Sequence, residues 1–88
     1  MTSLSRQEVL ERIRSHLSEE SGIDDAEIRE DSRFKEDLEA DSLDLIELVR
    51  ALEDVYGIRI EEREAERIKT VGQAVDFVLS HVPAHPAS

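Results

Sequence analysis

The 88-residue chain carries 22 acidic and 11 basic residues, and its formal net charge of −11 disfavours nucleic acids and anionic membrane surfaces as partners. It has no cysteine, which excludes disulfides, thiolate nucleophiles and cysteine-bound metals, and its length suits a single domain. No apolar run reaches the ~20 residues of a membrane span and Met1 is not followed by a secretory pattern, so we expect a cytoplasmic monomer.

The first predicted element is an amphipathic helix that begins after Ser5. Ser5 and Glu8 have the spacing of a capping box, in which each side chain satisfies the free amide of the other residue. Apolar residues then recur at helical spacing, charged residues cover the other faces, and Gly22 marks the end. The residues predicted to form the buried stripe are Val9, Leu10, Ile13 and Leu17.

Residues 22 to 41 are rich in acidic residues and lack helical periodicity. Isolated apolar residues predict a long ordered loop pinned to the core, and loops of this length are usually either functional or disordered. An EF-hand calcium loop starting at Asp31 does not fit, because Arg33 and Lys35 would occupy ligand positions. The predicted anchors of the loop are Ile23, Ile28, Phe34 and Leu38.

The strongest helical pattern runs from Ser42 to Tyr56, with Asp41 as its cap and Gly57 after its end. At about 100° per residue, one arc of this helix is apolar and is predicted to be buried, with Ile46 at its edge. Leu43 falls outside that arc and is predicted to stand on the solvent face. Its charged neighbours there are Glu47, Arg50 and Asp54, and the residues predicted to be buried are Leu45, Leu48, Val49, Leu52, Val55 and Tyr56.

Two more helices are predicted in the C-terminal part of the chain. Residues 61 to 67 are charged except for Ala65 and predict a short helix anchored by Ile68. Thr70 and Gln73 form a second capping box before a final amphipathic helix, and residues 83 to 88 are predicted to be a disordered tail. The sequence therefore predicts an all-α fold of three long helices, one short helix and one long loop, in a domain spanning residues 1 to 82.

Side chains that could carry catalysis are scarce. The histidines His16, His81 and His85 are neither paired with a nucleophile nor clustered as metal ligands, and we expect all three on the solvated surface. Ser42 is distinctive only through its context. An isolated Asp-Ser pair typically marks an ordinary helix start, but this serine follows a long loop and precedes an exposed leucine in acidic surroundings. A partner protein could dock on these apolar and anionic features beside the hydroxyl.

The segment Asp41-Ser42-Leu43-Asp44 resembles the phosphopantetheine attachment motif of acyl carrier proteins. The resemblance runs from the first helix through His81 and includes residues 34–38, 47–49, 51–53 and 64–68. It implies a discrete, type II carrier with a four-helix bundle, in which a transferase moves 4'-phosphopantetheine from coenzyme A onto Ser42. Acyl groups would be carried on this arm as thioesters in fatty-acid or related acyl-chain biosynthesis. Ser42 would thus be a modification site in a protein that is not an enzyme, because the transferase and its metal would supply the activation.

The same resemblance implies how this carrier would meet its partners. These would be the phosphopantetheinyl transferase and acyl transferases, ketoacyl synthases or acyl ligases with basic docking patches, which exposed charges steer into fast, reversible encounters. The implied recognition residues are Asp41, Leu43, Asp44, Glu47, Arg50, Glu53 and Asp54. Acyl tails would fold back into a pocket among the helices, formed by Ile46, Leu48, Leu52 and Ile68.

Three residues depart from the family pattern. Glu39 replaces the usual glycine, Leu45 stands where threonine is common in fatty-acid carriers, and Arg50 stands where an apolar residue is common. These departures leave open a carrier dedicated to a polyketide, siderophore or special lipid pathway. An alternative of another class is an unmodified acidic helical interaction module, which would bind partners without Ser42. A calcium sensor is disfavoured by the failed EF-hand loop, and a calcium titration without tight stoichiometric binding would exclude it.

Overall fold

The computed structural model describes residues 5–82 and confirms the predicted all-α bundle of three long helices and one short helix. The predicted tail, residues 83–88, lies outside the described residues. Residues 5–82 contain no β-strand, and no helix among them is long and apolar enough to cross a membrane. The helices are α1 (Arg6–Ser21), α2 (Ser42–Tyr56), α3 (Glu62–Glu66) and α4 (Val71–His81).

The predicted capping boxes fix the beginnings of α1 and α4. The Ser5 hydroxyl accepts the Glu8 amide at 3.2 Å, and the Ser5 amide donates to the Glu8 carboxylate at 3.2 Å. Thr70 and Gln73 make the same reciprocal pair at α4. Gly22 ends α1 in the left-handed region, with a φ of 68°, which glycine adopts without steric cost. Local chemistry therefore sets these helix ends.

The hydrophobic core lies where α1, α4 and α2 meet. The predicted stripe of α1 is buried throughout, and Leu48 and Leu52 are the buried residues of α2. From α4 the buried residues are Val71, Ala74, Val75 and Val78. Ile68, the predicted anchor of α3, is 7% exposed. Burial of these apolar side chains is the main driving force that holds the helices together.

The loop between α1 and α2 is ordered, and part of it is attached to the beginning of α4. Its predicted anchors Ile28, Phe34 and Leu38 are buried, whereas Ile23 is half-buried. The loop also contains a 3-10 helical turn, Asp25–Glu27, which was not predicted. Three backbone hydrogen bonds make the attachment. The Phe34 amide donates to the Lys69 carbonyl at 3.0 Å, the Val71 amide to the Ser32 carbonyl at 3.0 Å, and the Gly72 amide to the Glu30 carbonyl at 2.7 Å.

Gly72 is required by this attachment. A Cβ at this position would lie 2.8 Å from the carbonyl oxygen of Glu30, which is a backbone atom that cannot move independently of the loop. The Arg6 side chain reinforces the same region, because it pairs with both Glu30 and Asp76. These two carboxylates raise the pKa of the Arg6 guanidinium further above its usual range. The loop and the first turns of α1 and α4 therefore form one connected unit.

Leu45, Val49 and Tyr56, which were predicted to be buried, are half-buried, and two further predictions about burial are wrong. Val55 was predicted to be buried but is 46% exposed. It lies at the margin of the predicted apolar arc of α2, about 60° from Leu52, and the arc that packs against the core is narrower. His16 was predicted to be solvated, but its Nε2 atom is buried and lacks a hydrogen-bond partner within the described residues. At helical spacing His16 lies only about 20° from Val9, which is fully buried.

Tyr56, the last residue of α2, provides a spectroscopic test of the packing. Partial burial raises the pKa of the Tyr56 phenol, and the neighbouring Arg12 guanidinium only partly opposes this effect. The chain has one tyrosine and no tryptophan, so tyrosinate absorbance reports this residue alone. We expect the Tyr56 phenol to titrate above the usual tyrosine pKa of about 10 in the folded protein and near that value in the urea-unfolded protein.

The same shift makes a prediction for stability. Because the folded pKa is the higher one, the contribution of Tyr56 is present below the unfolded pKa and is lost as the pH rises through the folded pKa. Identical titration curves for the folded and unfolded protein would contradict the partial burial of this phenol.

Candidate functional site

Ser42 is the first residue of α2, and its side chain is exposed. The two carboxylates that flank it close a capping box around it: Asp41 accepts the Asp44 amide at 3.0 Å, and Asp44 accepts the Asp41 amide at 3.2 Å. The box satisfies amides that a helix N-terminus otherwise leaves free, without using the hydroxyl of Ser42. The fold therefore presents this hydroxyl to solvent at a defined helix terminus.

The segment of the chain that leads to Ser42 has an unusual backbone conformation at Glu39. Its φ is 55°, in the left-handed region, and it is the one non-glycine residue with a positive φ in the described part of the chain. The residues on either side, Leu38 and Ala40, are both buried, and the Ala40 amide donates to the Phe34 carbonyl at 2.7 Å. The left-handed step lets both neighbours face the core while Glu39 remains exposed.

We expect Glu39→Gly to stabilise the fold by about 0.5–1 kcal/mol, because glycine removes the steric cost of a positive φ, which exceeds its own entropic cost. Urea denaturation measures this change. Glu39→Ala is the matched control, since it removes the charge but keeps the Cβ. Equal gains from both variants would show that charge, and not backbone strain, is the cause.

A tight turn at residues 33–37 precedes Glu39. The Asp37 amide donates to the Arg33 carbonyl at 2.9 Å, and the Arg33 amide donates to the Asp37 carboxylate at 2.8 Å. The hydrogen bond from the Arg33 amide to the carboxylate, together with the Arg33 guanidinium, lowers the pKa of Asp37 below its usual range. Asp37 therefore remains ionised and closes the turn that leads into the Ser42 segment.

The exposed face of α2 combines apolar and charged side chains as predicted. Leu43 is 61% exposed and Ile46 is 50% exposed, and together with Val55 they are the exposed large hydrophobic residues of the described chain. The charged residues on this face are Glu47, Arg50 and Asp54, which are all exposed. Arg50 forms no ion pair with any residue between 5 and 82. Its charge is therefore available to a partner.

Asp44 and Glu53 are half-buried and accept hydrogen bonds from other elements. The Ser21 hydroxyl donates to Asp44 Oδ1 at 3.0 Å, which joins the end of α1 to the beginning of α2. The Ile60 amide donates to Glu53 Oε2 at 2.8 Å, which ties α2 to the segment before α3. Sequence reasoning missed both contacts, because a side chain that bonds to a distant element leaves no periodic signal.

The four residues expected to form an acyl pocket are divided between core and surface. Leu48, Leu52 and Ile68 belong to one buried cluster, with exposures of 2%, 1% and 7%, whereas Ile46 is 50% exposed. A separate open depression of about 430 Å³ lies beside the beginning of α2. It is polar and is lined by Ser21, Gly22, Ile23, Asp24, Glu27, Asp37, Leu38, Glu39 and Asp44.

The beginning of α2 fits a group attached through a phosphodiester. The hydroxyl of Ser42 is exposed, and the positive end of a helix dipole favours a nearby negative charge. Among residues 5–82 no group of three or more histidine, cysteine or acidic side chains is arranged to hold a metal ion. What this terminus offers to solvent is one exposed serine hydroxyl.

Comparison with known proteins agrees with this geometry. The profile of a family described as phosphopantetheine attachment site, or PP-binding, matches residues 11–78, which is most of the chain. The chain is also similar to the acyl carrier protein of Rubrobacter xylanophilus, with 44% identity over 81 residues, which span 92% of this chain and 100% of that relative. The chain therefore belongs to the acyl carrier family, whose members bear 4'-phosphopantetheine and act as carriers, not as enzymes.

Proposed function

We propose that Ser42 is the attachment residue for 4'-phosphopantetheine and that the protein carries acyl intermediates in fatty-acid or related acyl-chain biosynthesis. The observation that supports this most is the exposed Ser42 hydroxyl at the beginning of α2, held between two carboxylates that cap the helix. When bound, the group supplies a terminal thiol that holds acyl groups as thioesters, which this cysteine-free chain cannot supply itself.

The exposed face of α2 is the proposed docking surface for partner enzymes. Leu43 offers an apolar contact, and the surrounding carboxylates attract basic patches on a phosphopantetheinyl transferase, acyl transferases, ketoacyl synthases or acyl ligases. Exposed charge pairs give fast association with modest affinity, which suits a carrier that must leave each enzyme. The proposed recognition residues are Asp41, Leu43, Asp44, Glu47, Arg50, Glu53 and Asp54, of which Asp44 and Glu53 are half-buried.

The proposed acyl pocket is the part of the core between α2 and Ile68. Leu48, Leu52 and Ile68 share one apolar cluster that would shield an acyl tail from water. A tail among these side chains needs them to move apart, because protein cores are close-packed. Ile46 stands at the exposed edge of α2, where a tail would enter.

Intact mass before and after incubation with coenzyme A, magnesium and a broad-specificity phosphopantetheinyl transferase tests the attachment. We expect the protein to gain one phosphopantetheinyl group. No gain in a folded protein that bears no arm already would overturn the proposal and favour an unmodified interaction module.

Arg50 favours a second candidate, a carrier dedicated to a polyketide, siderophore or special lipid pathway. It is the one basic residue of α2, and it follows Ile46 by one helical turn on the docking surface. A positive charge there repels the basic patch of a general partner and attracts a partner with a carboxylate at that point. The protein would then be selective for its own pathway.

We expect Arg50→Glu to lower the KM of the phosphopantetheinyl transferase by about two- to fivefold, because one repulsive exposed charge becomes attractive. The effect should shrink at high salt, where exposed charges are screened. Arg29→Glu is the matched control, since it makes the same charge change on the α1–α2 loop. Equal effects of the two variants would mean that only net charge matters and that Arg50 has no special place in docking.

A further inference from the structure

The end of α1 contacts the beginning of α2 through one side-chain hydrogen bond. The Ser21 hydroxyl donates to Asp44 Oδ1 at 3.0 Å in a half-buried setting. Ser21 is the last residue of α1, and Gly22 follows it in the left-handed conformation that ends the helix. The position of this hydroxyl is therefore fixed by a helix that packs along the core.

The other oxygen of the Asp44 carboxylate is also occupied. Asp44 Oδ2 accepts the Asp41 amide at 3.2 Å, and the Asp44 amide donates to Asp41 Oδ1 at 3.0 Å. Ser42 lies between these two residues in the chain. A carboxylate held at both oxygens keeps one orientation, so Ser21 restrains the capping box from outside α2.

We propose that Ser21 is a positioning residue for the modification of Ser42, acting through Asp44. This inference rests on the proposed attachment at Ser42. Transfer requires the hydroxyl to occupy a narrow range of positions relative to coenzyme A in the transferase, and small displacements of a reacting atom are costly. Without the Ser21 hydroxyl, the Asp44 carboxylate can rotate, the box opens more often, and Ser42 samples unproductive positions.

The proposed docking contacts do not include Ser21. Leu43 and Asp54 lie on the exposed face of α2, whereas the Ser21 hydroxyl is turned toward Asp44 at the junction of α1 and α2. Loss of the hydroxyl should therefore act mainly on how Ser42 is presented after docking, and on docking only through Asp44, which is itself a proposed recognition residue. Modification should show a fall in kcat that exceeds any rise in KM.

The test compares Ser21→Ala, Ser21→Thr and Ser15→Ala as substrates of a broad-specificity phosphopantetheinyl transferase. We expect Ser21→Ala to lower kcat by about three- to tenfold, the range that follows from the loss of one hydrogen bond. Threonine keeps the hydroxyl and should restore the rate. Ser15 is exposed on the same helix, so its variant controls for substitution in α1.

Amide hydrogen exchange of Asp41, measured by NMR, gives a readout independent of the transferase. We expect faster exchange of this amide in Ser21→Ala and the wild-type rate in Ser21→Thr. An unchanged kcat with an unchanged Asp41 exchange rate would overturn the inference. A raised KM at constant kcat would also overturn it, because Ser21 would then act on docking and not on the presentation of Ser42. If the wild-type chain is not modified at all, the proposed function fails, and the exchange rate alone decides whether Ser21 restrains the box.

Discussion

Ser42→Ala is expected to abolish the mass gain with coenzyme A and a phosphopantetheinyl transferase completely, because alanine offers no oxygen to receive the phosphopantetheinyl group. The fold should remain, since the capping box uses Asp41 and Asp44 and not the hydroxyl of Ser42. Alanine is also the most favourable residue inside a helix. Intact mass measures the loss, and circular dichroism shows whether the variant keeps its helices.

Ser15→Ala is the matched control for this variant. It removes an exposed serine from α1, and the chain should still be modified at the wild-type rate. A mass gain that persists in Ser42→Ala would place the attachment on another serine. A gain lost in both variants would point to a general defect, and not to the loss of one acceptor.

Phe34→Ala is expected to cost about 3–5 kcal/mol of stability, because it leaves a large cavity in a close-packed core. Phe34 is 1% exposed and belongs to the largest fully buried side chains of the protein. Small domains have total stabilities of about 5–15 kcal/mol, so this single change removes much of the margin. Urea denaturation monitored by circular dichroism measures it.

The loss of packing in Phe34→Ala should be greatest around the α1–α2 loop. The Phe34 amide donates to the Lys69 carbonyl, and its carbonyl accepts the Ala40 amide, so the residue connects the segment before α4 to the segment before Ser42. Ile23→Ala is the control, because Ile23 is a half-buried anchor of the same loop and should cost only about 1 kcal/mol. A Phe34→Ala variant within 1 kcal/mol of wild type would contradict the packing of this loop.

The sequence predicts the helices well because their ends are set by neighbours in the chain. A capping box joins residues three apart, and Gly22 and Gly57 end their helices in the left-handed region, so each signal is local. The exposure of Leu43 was predicted for the same reason, since the angular position of a residue on a helix follows from counting along the chain.

Contacts between elements were not predictable in this way. The periodicity of a helix shows which face is apolar but not how wide an arc the neighbouring helices cover, so Val55 was wrongly placed in the core. The Ser21–Asp44 and Glu53–Ile60 hydrogen bonds join separate elements, and neither pair has a spacing that marks it. The hydrogen bonds that attach the loop to the beginning of α4 join backbone atoms, which every residue type supplies, so the sequence does not mark them.

That attachment has a practical meaning for redesign of the carrier. The hydrogen bonds between the loop and α4 use main-chain groups, so they persist when an exposed loop side chain is exchanged. Exposed residues such as Glu27, Arg29 and Asp31 can be substituted while the backbone that leads to Ser42 is retained. Gly72 and the buried loop anchors such as Phe34 resist such editing, because a side chain at Gly72 would push the loop away and the anchors fill the core. The exposed side chains of the loop can thus vary, whereas its main-chain hydrogen bonds keep the backbone in place.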